Sequence, residues 1–272
     1  MARRRRSSRR ARRQRRLAFV NIAMVAAAVA IVGWTVYALQ PEPYDEDTLC
    51  LISDELPPHT AVILDKTDEY TERESGLISA VVRRARDRLA VGERITIFEL
   101  DAAGQFDPRG EFSLCNPGRG NQVNPLFRNP KLIEERYEDL FEAPMDAILE
   151  DLITPKEAPA SPIMEALARL AQTEAFSPGA PSRQVVIVSD MLQNSDIFTA
   201  YGGRGRLPES IGDPRDTADE IVDRFGDGLR GVELEIRLIP RAGYADLQRG
   251  PLREYWDALF RELGVTADWR DL

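Results

Sequence analysis

Ala61-Val-Ile-Leu-Asp65-Lys-Thr67-Asp-Glu69-Tyr-Thr71 is the stretch that decides the fold. Its four apolar residues, Ala61 to Leu64, read as a short strand that breaks off at Asp65 into a polar cluster. From about Glu72 the period changes. Leu77, Ile78, Val81, Val82, Ala85 and Leu89 recur at helical spacing, with arginines on the opposite face. Strand, polar loop and helix make the opening unit of an α/β sheet, and such sheets bind ligands outside the carboxyl ends of their strands. Asp65 and Thr67 are thereby expected at the ligand edge.

Downstream, the pattern repeats. Arg94 to Leu100 alternates and is β-branched, a second strand. Phe112 to Leu114 reads as the return strand of a hairpin. Lys131 to Leu152 reads as a long helix interrupted near Pro144. Ser161-Pro162 places a capping hydroxyl and a first-turn proline ahead of a helix over residues 163–173. Gln184-Val-Val-Ile-Val-Ser-Asp190 is continuously apolar up to its last residues, as a strand buried on both faces should be. An irregular segment at 193–216 leads to a short helix over 216–225. An alternating strand over 232–239, nearer a sheet edge, and a last helix from Leu252 to Leu263 complete the order. The expected class is α/β, a Rossmann-like, mostly parallel sheet covered by helices.

Upstream, residues 3–16 hold ten arginines and no acid. An apolar run follows, and residues 17–39 are expected to cross a membrane as one helix. Trp34 and Tyr37 sit at its far end, where amphipathic rings favour the interface, and the arginines assign residues 1–16 to the cytoplasm. The run is longer than a cleaved signal's apolar core, so it is read as a retained anchor. Residues 40–56 are read as a linker and lead-in, and residues 57–272 as the extracytoplasmic domain. With the N-terminal arginines set aside, 26 basic residues face 45 acidic ones, a balance of −19. That acidity excludes nucleic acid as the exported domain's partner and suits a basic or metallic one.

Both cysteines, Cys50 and Cys115, fall in the exported part. In an oxidising compartment such a pair is read as a disulfide, with two buried free thiols as the alternative. The single histidine, His59, lies at the opposite end of the first strand from Asp65. It is read as structural or exposed, not catalytic.

Asp65-Lys-Thr67-Asp-Glu69, Ser161-Pro162-Ile-Met-Glu-Ala-Leu and Val-Ile-Val-Ser189-Asp190 together resemble the three loops of the von Willebrand factor A domain family. The likeness spans roughly residues 60–265. In that family an Asp-x-Ser-x-Ser loop, a Thr loop and an Asp ending a buried strand build a metal-ion-dependent adhesion site. The resemblance implies metal ligands at Asp65, Thr67, Glu69, Ser161 and Asp190. The cation implied is Mg²⁺ or Mn²⁺, which takes oxygen ligands in near-octahedral geometry. Glu69 stands where the family has a second hydroxyl, and Ser161 where it commonly has Thr. A plainer reading has Asp65 and Asp190 capping helices or bonding loop amides.

Asp65-Lys-Thr67-x-x-x-Thr71 also resembles the signature of haloacid-dehalogenase-type phosphotransferases, whose Asp is a nucleophile. Asp227 is the tempting second acid, but it precedes a strand and so should lie at the wrong end of the sheet. The expected function is accordingly non-enzymatic: a single-pass protein of the inner membrane. It would present its domain on the periplasmic side to protein partners of the envelope. The alternatives are a phosphotransferase using Asp65 and a metal-free structural subunit of a membrane complex.

Overall fold

The computed structural model describes residues 3–38, 43–66, 70–100, 110–123, 125, 129–152, 160–202 and 206–272, and only the backbone of 3–13, 36, 38 and 151. Two compact units divide the chain, Met1–Pro43 and Tyr44–Leu272.

Among its described residues the first unit holds a single helix, α1 (Arg3–Ala38). Its 22-residue segment Gln14–Thr35 has a mean hydropathy of 2.2, long and apolar enough to cross a membrane.

The second unit is a six-stranded sheet in the order β3-β2-β1-β4-β5-β6. The strands are β1 (His59–Asp65), β2 (Arg94–Leu100), β3 (Phe112–Cys115), β4 (Arg183–Ser189), β5 (Glu233–Leu238) and β6 (Thr266–Asp271). All neighbours run parallel except β2 and β3, whose hairpin pairs Arg94 with Cys115. The mostly parallel α/β sheet expected from the sequence is thus present.

Alternation along β1 shows why both faces are covered. Ala61 and Ile63 join the apolar layer under α5 (Ile163–Leu170), α6 (Pro214–Phe225) and α8 (Pro251–Glu262). Val62 and Leu64 join the layer under α2 (Glu72–Arg88), α3 (Pro130–Tyr137) and α4 (Ala143–Leu152). Thr71 opens α2 with a reciprocal cap: its hydroxyl accepts the Glu74 amide at 3.2 Å, and Glu74 accepts the Thr71 amide at 2.7 Å. The interruption expected near Pro144 is one wide turn, Glu138–Glu142, between α3 and α4. The Ala143 amide there reaches back five residues to Glu138. A proline ring crowds the carbonyl four residues back, and a wide turn relieves that crowding.

Two elements depart from the sequence reading. The short helix α7 (Ala245–Arg249) precedes α8, and β6 forms the sheet's edge outside β5. Cys50 and Cys115 are bridged across 65 residues. With the Cys115 amide donating to the Thr48 carbonyl at 2.8 Å, this ties the lead-in segment to the carboxyl end of β3, beside the amino end of β2.

Candidate functional site

The strand order places the site. From β1 the chain moves outward to β2 and β3, then returns to lay β4 on the other flank of β1. The connections after β1 and β4 therefore diverge at their carboxyl ends, and the crevice left there is where open α/β sheets hold ligands. Asp65 closes β1, and Ser189 and Asp190 close β4.

Asp65 is buried and gathers two hydroxyls on one carboxylate oxygen. The Ser161 hydroxyl donates to Asp65 Oδ2 at 3.2 Å and the Ser189 hydroxyl at 2.6 Å. Tyr70 donates its phenol to the Asp65 carbonyl. Three separate segments thus converge on one carboxylate. Ser161 is held by a pair of backbone bonds with Asn194, 3.1 and 3.0 Å.

Ser161 does not cap α5, which corrects the sequence reading of Ser161-Pro162. Pro162 takes the cap position, without a side-chain cap bond, and the Ser161 hydroxyl turns to Asp65. The orphan amide of Met164 is instead accepted by Gln193 Oε1 at 3.0 Å. Gln193 is fully buried and donates to Glu165 at 2.9 Å and to Ser195 at 2.6 Å. A long-range amide has replaced the local hydroxyl, leaving Ser161 available to the carboxylate.

Asp190 follows a different course. Its Oδ1 accepts the Leu192 amide at 2.8 Å, the loop-amide bond of the plainer reading. Its Oδ2 accepts from Arg241 Nε at 3.1 Å, an ion pair with a buried carboxylate. Gln248, also buried, braces both partners. Its amide donates to the carbonyls of Asp190 and Ile239 at 2.8 and 3.0 Å, while its oxygen accepts the Arg241 backbone amide at 2.9 Å. Between them lies Met191, with φ of 59°. A left-handed conformation at a non-glycine residue is strained by about 1 kcal/mol or more, and persists where its surroundings fix it. Here the Ser189 hydroxyl accepts the Met191 amide at 2.8 Å, and the Trp256 indole donates to its carbonyl at 3.0 Å. Trp256 is itself fully buried and stacked on Phe260, so the loop after β4 is bolted to α8.

Of the other expected ligands, Thr67 and Glu69 lie outside the described residues. Lys66, beside them, turns its buried ammonium to Glu99 on β2 at 3.1 Å. Among the described residues, no group of three or more His, Cys, Asp or Glu is placed to hold a metal. Arg241 and Ser189 are the members that sequence reasoning left out of the site. Ser189 had a signal, as a hydroxyl ending a buried strand beside an acid. Arg241 had only its place two residues past an alternating strand.

Tyr201 and Tyr244 meet edge-to-face on the same edge, their rings 5.6 Å apart, and Tyr201 is exposed. Asp227 precedes β5, and Arg183 at the amino end of β4 holds the neighbouring Gly228 carbonyl. Asp227 is therefore at the opposite end of the sheet from Asp65, as the sequence indicated, and does not complete a phosphotransfer site. His59 is likewise at the amino end. It is buried, with Nδ1 on the Ala175 carbonyl at 2.9 Å and Nε2 on the Thr96 hydroxyl at 2.8 Å. A groove of about 530 Å³ lies near the amino ends, under the α2 side of β4, β5 and β6. Its charges are largely paired, Arg88 of α2 with Glu235 of β5 and Arg270 with Asp268 along β6.

No family model matches the chain, and no curated protein sequence matches it. Solved structures similar to it include the conserved hypothetical protein BatB from Bacteroides thetaiotaomicron. That match has 13% identity and a TM-score of 0.38, covering 79% of this chain and 90% of that one. An aerotolerance-related membrane protein from Bacteroides fragilis is similar at 12% identity and a TM-score of 0.34, covering 79% and 92%. Proximal thread matrix protein 1 from the mussel byssus, with a zinc-occupied metal-ion-dependent adhesion motif, is similar at 12% identity and a TM-score of 0.39, covering 80% and 43%.

Proposed function

We propose that this chain is a membrane-tethered recognition protein. Its α/β domain would bind or scaffold protein partners through the carboxyl edge of the sheet, in the manner of a von Willebrand A-type domain. The observation that carries the reading is the convergence of Ser161 and Ser189 on Asp65 at the switch point. Three connections are locked together there by buried polar bonds. A rigid rim with an exposed Tyr201 beside Tyr244 is what a protein-binding surface needs, since aromatic rings combine apolar area with low entropy cost. The same burial speaks against catalysis by Asp65, whose Oδ2 already accepts from two hydroxyls.

In this reading residues 1–16 lie in the cytoplasm and residues 17–39 cross the inner membrane. Residues 40–56 lead to the periplasmic domain at 57–272. The arginines before the apolar run support that orientation.

The test is site-specific photo-crosslinking of the full chain in its own membrane. A crosslinker at Tyr201 should form a discrete adduct, and one at Val222, exposed on α6, should not. Equal adducts at both positions, or none at Tyr201 or Tyr244, would refute the edge as the binding surface.

A further inference from the structure

The resemblance to metal-binding adhesion domains implies a divalent cation at this edge, and the Asp190 end of the implied donor set does not suit one. A cation at the end of β4 needs the Asp190 carboxylate. Both oxygens of that carboxylate already accept from N–H donors, one from the Leu192 amide and one from Arg241. The Arg241 guanidinium also brings a full positive charge onto the carboxylate, and a second cation there would be repelled. Nor is the arginine a chance visitor. Gln248 ties the Arg241 amide to the carbonyls of Ile239 and Asp190, so that pair is fixed through the backbone as well as the side chains.

We propose that Arg241 is the resident cation at Asp190, on the β4 side of this edge. It neutralises Asp190 in place of a metal ion and makes the recognition surface independent of Mg²⁺ and Mn²⁺. This deepens the binding function and rests on it for its biological meaning, but the charge substitution is a property of the folded chain alone. Parallel topology explains how the arginine arrives. β5 runs beside β4 in the same direction, so the residues just beyond Leu238 emerge at the edge where Asp190 sits. A guanidinium offers directional N–H bonds in a fixed plane, where a metal offers a spherical charge. The edge it builds stays formed whether or not divalent ions are present.

The experiment is thermal unfolding of the full chain in detergent, without metal and with millimolar Mg²⁺ or Mn²⁺. It compares the wild type with Arg241→Met, Asp190→Asn and the double variant. The wild type should melt at one temperature under all conditions. Arg241→Met should lower Tm by about 5–10 °C, because a buried carboxylate loses its Arg241 counter-charge. Adding Asp190→Asn should recover part of that loss. Arg241→Met should also gain a metal-dependent rise that Arg241→Met/Asp190→Asn lacks. A metal-dependent rise in the wild type as large as in Arg241→Met would overturn the proposal. So would strictly additive losses in the double variant, or no metal response in Arg241→Met. The measurement needs no partner, so its failure leaves the crosslinking result standing, and the reverse holds equally.

Discussion

His59 makes the domain's stability depend on pH in a window that can be worked out in advance. Burial pushes its pKa from the usual 6.5 down to about 4. The Ala175 carbonyl can only accept, so Nδ1 carries the proton. Nε2 of the neutral ring then accepts from the Thr96 hydroxyl, and Thr96 in turn is bonded to Ser113 at 2.9 Å. Protonating Nε2 would reverse the direction of the Thr96 bond and place a charge in an apolar shell formed partly by Phe176. Because the folded pKa is depressed, the unfolded chain binds the proton first. Stability is therefore full above about pH 6.5 and falls as pH drops towards 4. Below that this group changes it no further. The shift from 6.5 to about 4 gives a loss of about 2 kcal/mol at pH 5 and about 3 kcal/mol below pH 4. For a domain of this size the first step lowers Tm by about 4–8 °C between pH 7 and pH 5. Asp45 and Glu134, held below the usual carboxylate range by the Thr48 hydroxyl and the Arg119 guanidinium, lose their contributions at lower pH and do not blur this window. The assay is thermal unfolding of the full chain against pH, beside His59→Asn, whose amide can still donate to Ala175 but cannot titrate. The variant should start less stable and lack the step between pH 7 and 5. His59 is the only histidine, so its ring signals also titrate alone in a histidine-labelled sample. A folded-state pKa near 6.5, or the same step in the variant, would refute this account.

Further outcomes follow from the same structure. A C-terminal reporter active only in the periplasm should light up, and one active only in the cytoplasm should stay dark; the reverse would sink the proposed orientation. Closing 65 residues with Cys50–Cys115 should stabilise the domain by about 4 kcal/mol in the chain-entropy model. Reduction, or replacement of both cysteines by alanine, should lower Tm accordingly, and an unchanged melting curve would contradict it. Asp65→Ala should strip the acceptor from the Ser161 and Ser189 hydroxyls and cost about 2–4 kcal/mol of stability. A phosphotransferase would instead show a trapped acyl-phosphate analogue on Asp65, which incubation with beryllium fluoride and mass analysis of the full chain should not find.

The central strands were legible because burial on both faces leaves no room for polar alternation. β1 and β4 are nearly all apolar between their polar ends, and the structure buries every residue of them but Gln184. β6 was illegible for the opposite reason. Thr266-Ala-Asp-Trp-Arg-Asp271 offers only Ala267 and Trp269 to the core, and its other side chains are exposed. What holds it is the backbone ladder to β5, a partner chosen by topology, not by its own composition. The short α7 escaped for a related reason: five residues give too little periodicity to read.

At the site the boundary between legible and illegible follows the range of the forces. Asp65, Ser161 and Asp190 could be placed on one edge because each ends a strand or opens a helix, and that is local information. What each side chain does there is decided by residues far along the chain. Ser161 looks like a helix cap in sequence because Pro162 follows it, and the cap bond fails because Gln193 supplies the acceptor instead. Asp190 looks like a metal ligand in a motif, and its charge is answered by Arg241, 51 residues later. A reader holding only the sequence could still have found that cation by one further step. In a parallel sheet every residue just past a strand end shares an edge with every other. Any arginine within three residues of such an end is thus a candidate counter-charge for an acid at the next strand's end. Arg241 meets that condition after β5, and the acid across from it is Asp190.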